Sequence, residues 1–273
     1  MNEPESSELG KKTIYPKAYD KGLLFPIPRC KGRKTIGIGE TIPFSGFDIW
    51  TAWEVSFLNC KGKPLVFIAS IIIPCSSENI VESKSLKLYF NSLNERSFES
   101  LGEARKTISK DISECVQADV QVILNSLNDF PHSISKPNGI CLDELDISWQ
   151  PQKYSPNLLM AGGQSTVNET LYSNLLKSNC PVTNQPDWAT LTISYSGKML
   201  KHESLLRYIL TYRDHNEFHE QCVERIYQDI ARVCQPESLT VCARYTRRGG
   251  IDINPIRSSA LLETPENLRF VRQ

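Results

Sequence analysis

The chain has no charge surplus: 31 Lys and Arg stand against 31 Asp and Glu over 273 residues, a formal net charge of zero. Without a basic field, nothing favours non-specific attraction to nucleic acid, and no direct nucleic-acid contact is expected. A long apolar run is also missing. The longest, residues 65–74, is interrupted by Ser70 and falls far short of the roughly 20 residues that span a bilayer. Met1-Asn2-Glu3-Pro4-Glu5-Ser6 is polar and acidic, without the basic-then-apolar order of a leader, so a cytoplasmic protein away from membranes is expected. No two of the nine cysteines form a Cys-x-x-Cys pair, and an odd, scattered set reads as mostly buried thiols instead of a disulfide framework. Gly37-Ile38-Gly39 lacks the third glycine and the strand-then-helix setting of a dinucleotide fingerprint.

Residues 1–46 are rich in Gly, Pro, Lys and Ser without a sustained period, and are expected to form an extended arm. Regular patterning follows. Trp53, Val55 and Phe57 alternate with polar residues, Asn59-Cys60-Lys61-Gly62-Lys63-Pro64 turns the chain, and residues 65–73 are apolar and β-branched: a hairpin. Helices are expected over 83–93 and 98–115, a strand through Val120, Val122 and Leu124, and a last strand near Ile147-Ser148-Trp149. The order then recurs. Leu191, Ile193 and Tyr195 alternate; Ser196-Gly197-Lys198 is expected to turn the chain into a short partner strand. Helices follow over 204–212 and 217–234, then a strand through Val241, Ala243 and Tyr245, a Gly249-Gly250 turn and a strand over 251–256. Glu82-Ser83 has an echo in Glu203-Ser204, and Asp111-Ile112 with Cys115 in Asp229-Ile230 with Cys234. The expectation is an α+β protein built of a duplicated β-β-α-α-β-β unit. Its divisions are an arm (1–46), a first module (47–150), a Pro- and Gly-containing linker (151–179) and a second module (180–273).

Four segments carry candidate chemistry. Cys180 sits in Ser178-Asn179-Cys180-Pro181, with Asp187 seven places on. As a lone free cysteine it is a small buried residue; in a polar turn beside Lys177, with Thr183 and Asp187 following, it is a thiolate nucleophile paired with a proton donor. His215, His219 and Cys222 have helical spacing, but no further His/Cys pair is suitably spaced to complete a zinc site. His219 either shares a core face with Val223, Ile226 and Ile230 or, with Glu220, points into a pocket where a carboxylate accepts paired N–H donors from a guanine-like ring. Glu82-Ser83-Lys84 opens a helix, either as ordinary capping residues with Lys84 and Lys87 solvated, or as an anion site of Ser83, Lys84 and backbone N–H groups. Arg248 beside Gly249 in Arg244-Tyr245-Thr246-Arg247-Arg248-Gly249-Gly250 is a solvated hairpin end or a phosphate clamp.

Together these residues resemble the NADPH-dependent 7-cyano-7-deazaguanine reductases, the nitrile reductases of queuosine biosynthesis, in their long two-module form. The resemblance runs from about residue 17 to the end of the sequence. It rests on Glu82-Ser83-Lys84-Ser85-Leu86-Lys87-Leu88-Tyr89, on Lys177-Ser178-Asn179-Cys180 with Gln185-Pro186-Asp187-Trp188, on His215-Asn216-Glu217-Phe218-His219-Glu220, and on Ala243-Arg244-Tyr245-Thr246-Arg247-Arg248-Gly249-Gly250. It implies tandem tunnelling-fold modules, each an antiparallel four-stranded sheet with two helices on one face, assembled as a homodimer. It implies that Cys180 adds to the nitrile to form a thioimidate and that Asp187 donates the proton. Val81 (through its backbone), Glu82, Ser83, His219 and Glu220 would hold the deazaguanine. Ser83, Lys84, Arg248 and Gly249 would hold NADPH, two of which are consumed per turnover, and no metal is required. Two other classes compete: a zinc-dependent cyclohydrolase acting on purine or pterin rings, and a non-catalytic binding module with Cys180 merely buried.

Overall fold

The structure is a computed structural model that describes residues 15–131, 133–263 and 266–273. The first fourteen residues of the expected arm lie outside the described residues. In chain order the elements are β1 (Pro26–Pro28), α1 (Arg29–Thr35), β2 (Ser45–Asn59), β3 (Pro64–Pro74), β4 (Asn79–Val81), α2 (Ser83–Ser92), β5 (Ser97–Phe98) and α3 (Leu101–Val116). They continue with β6 (Gln121–Asn125), β7 (Ile140–Cys141), β8 (Ala161–Asn179), β9 (Pro186–Leu200), α4 (His202–Leu210), α5 (His219–Cys234), β10 (Ser238–Tyr245) and β11 (Ile251–Ser258). The chain forms two compact units. The first takes described residues of 15–34, 47–133 and 247–253; the second takes 35–46, 134–246 and the rest from 254.

In the first unit β2 and β3 form the expected hairpin, from Phe47 opposite Pro74 to Leu58 opposite Pro64, with a bulge between Ala52 and Val55. β6 pairs on the other edge of β3. The start of β11 lies on the far side of β2, where Trp53 N–H donates to the Gly250 carbonyl at 2.9 Å. Trp50, Ala52, Val55, Phe57, Ala69, Ile71 and Ile73 make one buried cluster with Leu86, Tyr89 and Phe90 of α2 and Ala104, Ile108 and Ile112 of α3. The helix positions recur every three or four residues, which puts them on one face. Ser100 caps α3 by accepting from Glu103 N–H, and Glu103 accepts in return from Glu99 N–H. Gln117 closes α3 in the left-handed region at φ 55°.

The second unit holds β8 to β10, α4, α5 and most of β11. β10 pairs with β11 and with β9, and β9 pairs with β8, all antiparallel. The two-residue β7 runs parallel to β8 at its far edge. Leu191, Ile193, Val241 and Ala243 on the strands, and Leu205, Ile209, Val223, Ile226 and Ile230 on the helices, are buried. A buried ion pair joins α5 to β11: Arg257 Nη2 lies 2.9 Å from Glu224 Oε1.

Four expectations change here. Residues 147–149 form no strand. The stretch expected as a linker contains β8, a 19-residue strand whose Gly162, Gly163, Ser165, Thr166 and Asn168 hide its alternation. β9 runs straight through Ser196-Gly197-Lys198 instead of turning. Gly197 serves close approach: a Cβ built there would stand 2.7 Å from Pro236 Cα. The arm also carries more order than expected, since α1 lies within it.

Each unit carries the same polar arrangement. In the first, Tyr19 and Tyr89 both donate to Asp111 Oδ2 at 2.7 Å. In the second, Tyr154 and Tyr208 both donate to Asp229 Oδ2. Ser85 Oγ donates to the Glu82 carbonyl and accepts from Phe25 N–H, while Ser204 Oγ donates to the Lys201 carbonyl and accepts from Met160 N–H. The Asp111 and Asp229 echo therefore holds. The Glu82-Ser83 echo shifts: Ser204 matches Ser85, and Lys201 stands where the first unit has Glu82.

Candidate active site

Cys180 directly follows β8 and opens the tight turn to β9. Its N–H donates to the Gln185 carbonyl and its carbonyl accepts from Asn184 N–H. Asn184 takes φ 56°, a conformation asparagine tolerates. The turn thus folds back on itself, and Cys180 is 6 % exposed. Asp187, also 6 % exposed, lies just inside β9 opposite Ser178 in the strand register. Both ends of the turn therefore bury a reactive type of side chain, while Thr183 is exposed.

The segment before α5 is sewn to this turn. Asn179 N–H donates to the His215 carbonyl and Glu217 N–H to the Asn179 carbonyl. The Asn216 amide donates to Asn184 Oδ1 at 3.0 Å. Glu217 is clamped by Arg225 and lies 3.1 Å from His215 Nε2. Lys177, expected to favour a thiolate, places its ammonium 2.6 Å from Asn179 Oδ1 and 2.8 Å from the Arg213 carbonyl, where it braces the same segment.

Held this way, the first turn of α5 presents His219 and Glu220. His219 Nε2 lies 3.6 Å from Asp187 Oδ2, and its ring meets Tyr245 edge-to-face with centroids 4.0 Å apart. Glu220 is 3 % exposed, its acidic side chain at the positive end of the helix dipole. His219 is thus no satisfied core histidine on the Val223 face; it points to the turn. Cys222 is fully buried, and burial pushes its thiol far above the ordinary range. Among the described residues no group of three or more His, Cys, Asp or Glu side chains is placed to hold a metal ion.

In the first unit Glu82 is the N-cap of α2. Its two carboxylate oxygens accept from Lys84 N–H and Ser85 N–H, each at 2.8 Å. The backbone donors that the sequence offered to an anion are therefore taken by Glu82 itself. Val81 ends β4, is 1 % exposed and pairs with Pro26. Ser83 and Lys84 are partly exposed on the first turn, with Lys87 one turn further on the face of Lys84. The Arg248 turn closes when Arg248 N–H donates to the Ile251 carbonyl at 2.8 Å. Gly249 takes φ 61°, and a Cβ there would stand 3.1 Å from Lys87 Nζ. An ammonium, a guanidinium turn and a bare glycine backbone thus share one surface of the first unit. That donor set fits an anionic phosphate group.

Tyr245 was not among the expected site residues. The sequence carried it as one member of an alternating strand and of the motif ending at Gly249-Gly250, and nothing in either distinguishes a packing tyrosine from one set against a histidine.

Fold and site together define a mixed α+β protein with Cys180, Asp187 and His219 drawn together at a buried turn of one unit and a phosphate-compatible surface on the other. The family model described as "Nitrile reductase, 7-cyano-7-deazaguanine-reductase N-term" matches residues 15–124, and the one described as "QueF-like protein" matches residues 186–263. A protein of Legionella pneumophila (strain Corby) named NADPH-dependent 7-cyano-7-deazaguanine reductase is 50 % identical, over 100 % of this chain and 97 % of its own length. Proteins of the same name from Paraburkholderia phymatum and Burkholderia pseudomallei (strain K96243) are each 49 % identical, over 99 % of both chains. The chain belongs to the NADPH-dependent 7-cyano-7-deazaguanine reductase family, a family of oxidoreductases. The crystal structure of the archaeosine synthase QueF-Like in the apo form covers 37 % of this chain and 100 % of its own at 16 % identity and a TM-score of 0.32, too slight a likeness to carry any argument.

Proposed function

We propose that the chain reduces the nitrile of 7-cyano-7-deazaguanine to the primary amine 7-aminomethyl-7-deazaguanine through a thioimidate on Cys180, within queuosine tRNA-modification biosynthesis. The observation that carries the proposal is the buried turn with Cys180 at one end and Asp187, faced by His219, at the other. Family membership along the full length supports it.

A nitrile accepts hydride poorly. Cys180 sulfur adds to the nitrile carbon while Asp187 protonates the nitrogen, which turns C≡N into a more receptive C=N bond. When bound, NADPH supplies the hydride that the thioimidate and then the imine accept, two per amine formed. After the first reduction the C–S bond breaks, Cys180 leaves as thiolate, and an imine remains. The imine must stay dry, because water would convert it to an aldehyde; the low exposure of Cys180 and Asp187 suits that demand. In the second unit His219 and Glu220 are assigned to the deazaguanine, with the Glu220 carboxylate accepting ring N–H donors. In the first unit the same role falls to Glu82, Ser83 and the Val81 backbone. Ser83, Lys84, Arg248 and Gly249 are assigned to the cofactor phosphates, on the strength of the glycine and Lys87 arrangement. The chemistry proposed here uses no metal.

The repeated Tyr–Tyr–Asp and serine arrangements support tandem tunnelling-fold modules, each with an antiparallel four-stranded sheet, and the proposed assembly is a cytoplasmic homodimer. Among the described residues no helix is long and apolar enough to cross a membrane. The test is NADPH oxidation with 7-cyano-7-deazaguanine, wild type beside Cys180→Ala. Two NADPH consumed per amine by the wild type alone is expected. Full activity in Cys180→Ala would remove the covalent mechanism. Nitrile binding without oxidation by a folded wild type would move the chain to a binding module.

A further inference from the structure

We propose that Tyr245 is a positioning residue of the site: its ring, set edge-to-face on the His219 imidazole, keeps that imidazole within reach of Asp187. The role in turnover rests on the reductase function proposed above; the packing does not.

Tyr245 is the last residue of β10 and 1 % exposed. Its ring centroid lies 4.0 Å from that of His219 with the planes at 70°, an arrangement in which the edge of one ring meets the face of the other. The backbone ties the same residue to the strand that carries Asp187. Tyr245 pairs with Ala189, and Thr246 N–H donates to the Trp188 carbonyl at 2.8 Å. The phenol oxygen is buried without a hydrogen-bond partner among the described residues, so the ring is held by packing, and Ser178 stands opposite Asp187 in the neighbouring strand pair. Gln273 braces it from behind, donating to the Tyr245 carbonyl at 3.2 Å and to Asn254 Oδ1 at 2.7 Å.

Tyr245 therefore ties α5, through its ring, to β9, through its backbone, the two elements that carry His219 and Asp187. His219 needs such a stop. It begins α5 beside Phe218, which makes no side-chain capping bond, and its Nε2 stands 3.6 Å from Asp187 Oδ2. That separation is longer than a hydrogen bond, so a small tilt of the imidazole decides whether the two groups bond. A ring wall on one side limits the tilt to the direction of Asp187. Tyr245 itself contacts neither substrate nor cofactor in this proposal.

The experiment compares the full chain as wild type, Tyr245→Phe and Tyr245→Leu. The first readout is the carbon-bound proton resonances of the His219 ring by NMR, identified by their loss in His219→Gln. The ring current of a tyrosine this close displaces those resonances from the positions of the His202 ring protons. The displacement is expected in the wild type and in Tyr245→Phe and is expected to vanish in Tyr245→Leu. The second readout is steady-state NADPH oxidation. Tyr245→Leu should lower kcat by about ten- to a hundredfold, the scale of a misplaced reacting group. The KM for NADPH should stay within roughly threefold, a split that a general loss of structure would not give. Tyr245→Phe should keep most of kcat. A folded wild type without the ring displacement overturns the proposal, as does a folded Tyr245→Leu with wild-type kcat. If Tyr245→Leu fails to fold, the wild-type spectrum still decides. A wild type that shows the displacement but oxidises no NADPH would sink the reductase function and leave the His219 packing supported.

Discussion

Asp187 is the residue whose surroundings say most about its task. A carboxyl 6 % exposed at the start of a strand is costly unless something faces it, and His219 does so at 3.6 Å. An asparagine keeps the shape and cannot give a proton. Asp187→Asn is therefore expected to bind the nitrile and to reduce it about a hundred- to a thousandfold more slowly. Single-turnover NADPH oxidation beside an equilibrium binding titration checks both halves, and an unchanged rate would remove Asp187 from the proposed donor role. Glu82 teaches the opposite lesson at the same scale. The bland reading of its sequence position, a helix cap, is what the geometry shows, since both carboxylate oxygens accept N–H groups of α2. Any role toward a ligand has to be shared with that cap.

Among the elements, α5 joins the core of the second unit to the candidate site. Its buried face includes Val223, Ile226 and Ile230, and its first turn carries His219 and Glu220. A fully buried ion pair, Glu224 with Arg257 of β11, adds a constraint that apolar packing lacks. Arg257 is 0 % exposed, so removing its partner leaves a charge with no route to water. Glu224→Gln should destabilise the fold by about 3 kcal/mol, the usual cost of breaking a buried pair from one side. A urea midpoint equal to wild type would show that the amide satisfies the guanidinium. β8 shows the limits of pattern at this scale. It has too few apolar residues to announce itself and is a strand because β9 pairs with it along its length.

For the molecule as a whole, burial makes stability fall in alkali. Cys234 is pushed up to about 11 and Cys115 to about 12 from the ordinary 9.0, in each case by desolvation. Tyr208, Tyr212 and Tyr245 are raised well above 10.0 for the same first cause. Unfolded, these thiols ionise near their ordinary value; folded, they hold their protons through the window up to 11 or 12. The folded chain then binds more protons than the unfolded one, so stability decreases as pH rises. Their contribution is complete below the ordinary thiol value and is lost as pH climbs through the folded values. The urea midpoint should be level from about pH 7 to 8 and decline from about pH 9 upward. A midpoint that rises across that window would contradict the assignment.

The sequence by itself determined the α+β class, the β2–β3 hairpin and all four main helices, and it offered Cys180, Asp187, His219 and Glu220 as candidate site residues. Those features are local. Period-2 and period-3.6 patterns bury one face, and within each single motif the residues lie a few positions apart. What tertiary structure decided depends on partners distant in the chain. Gly197 looked like a turn until Pro236 packed onto it, and the 161–179 stretch looked like a linker until β9 paired with it. The counterpart of Glu82 proved to be Lys201, because hydrogen bonds to Phe25 and Met160 set the match where neighbouring letters had suggested Glu203. Tyr245 became part of the site only when the fold brought the end of β10 against the first residue of α5. Pattern reports which face of an element is apolar; which side chain meets which across that face is set by packing, and packing is not written at any single position.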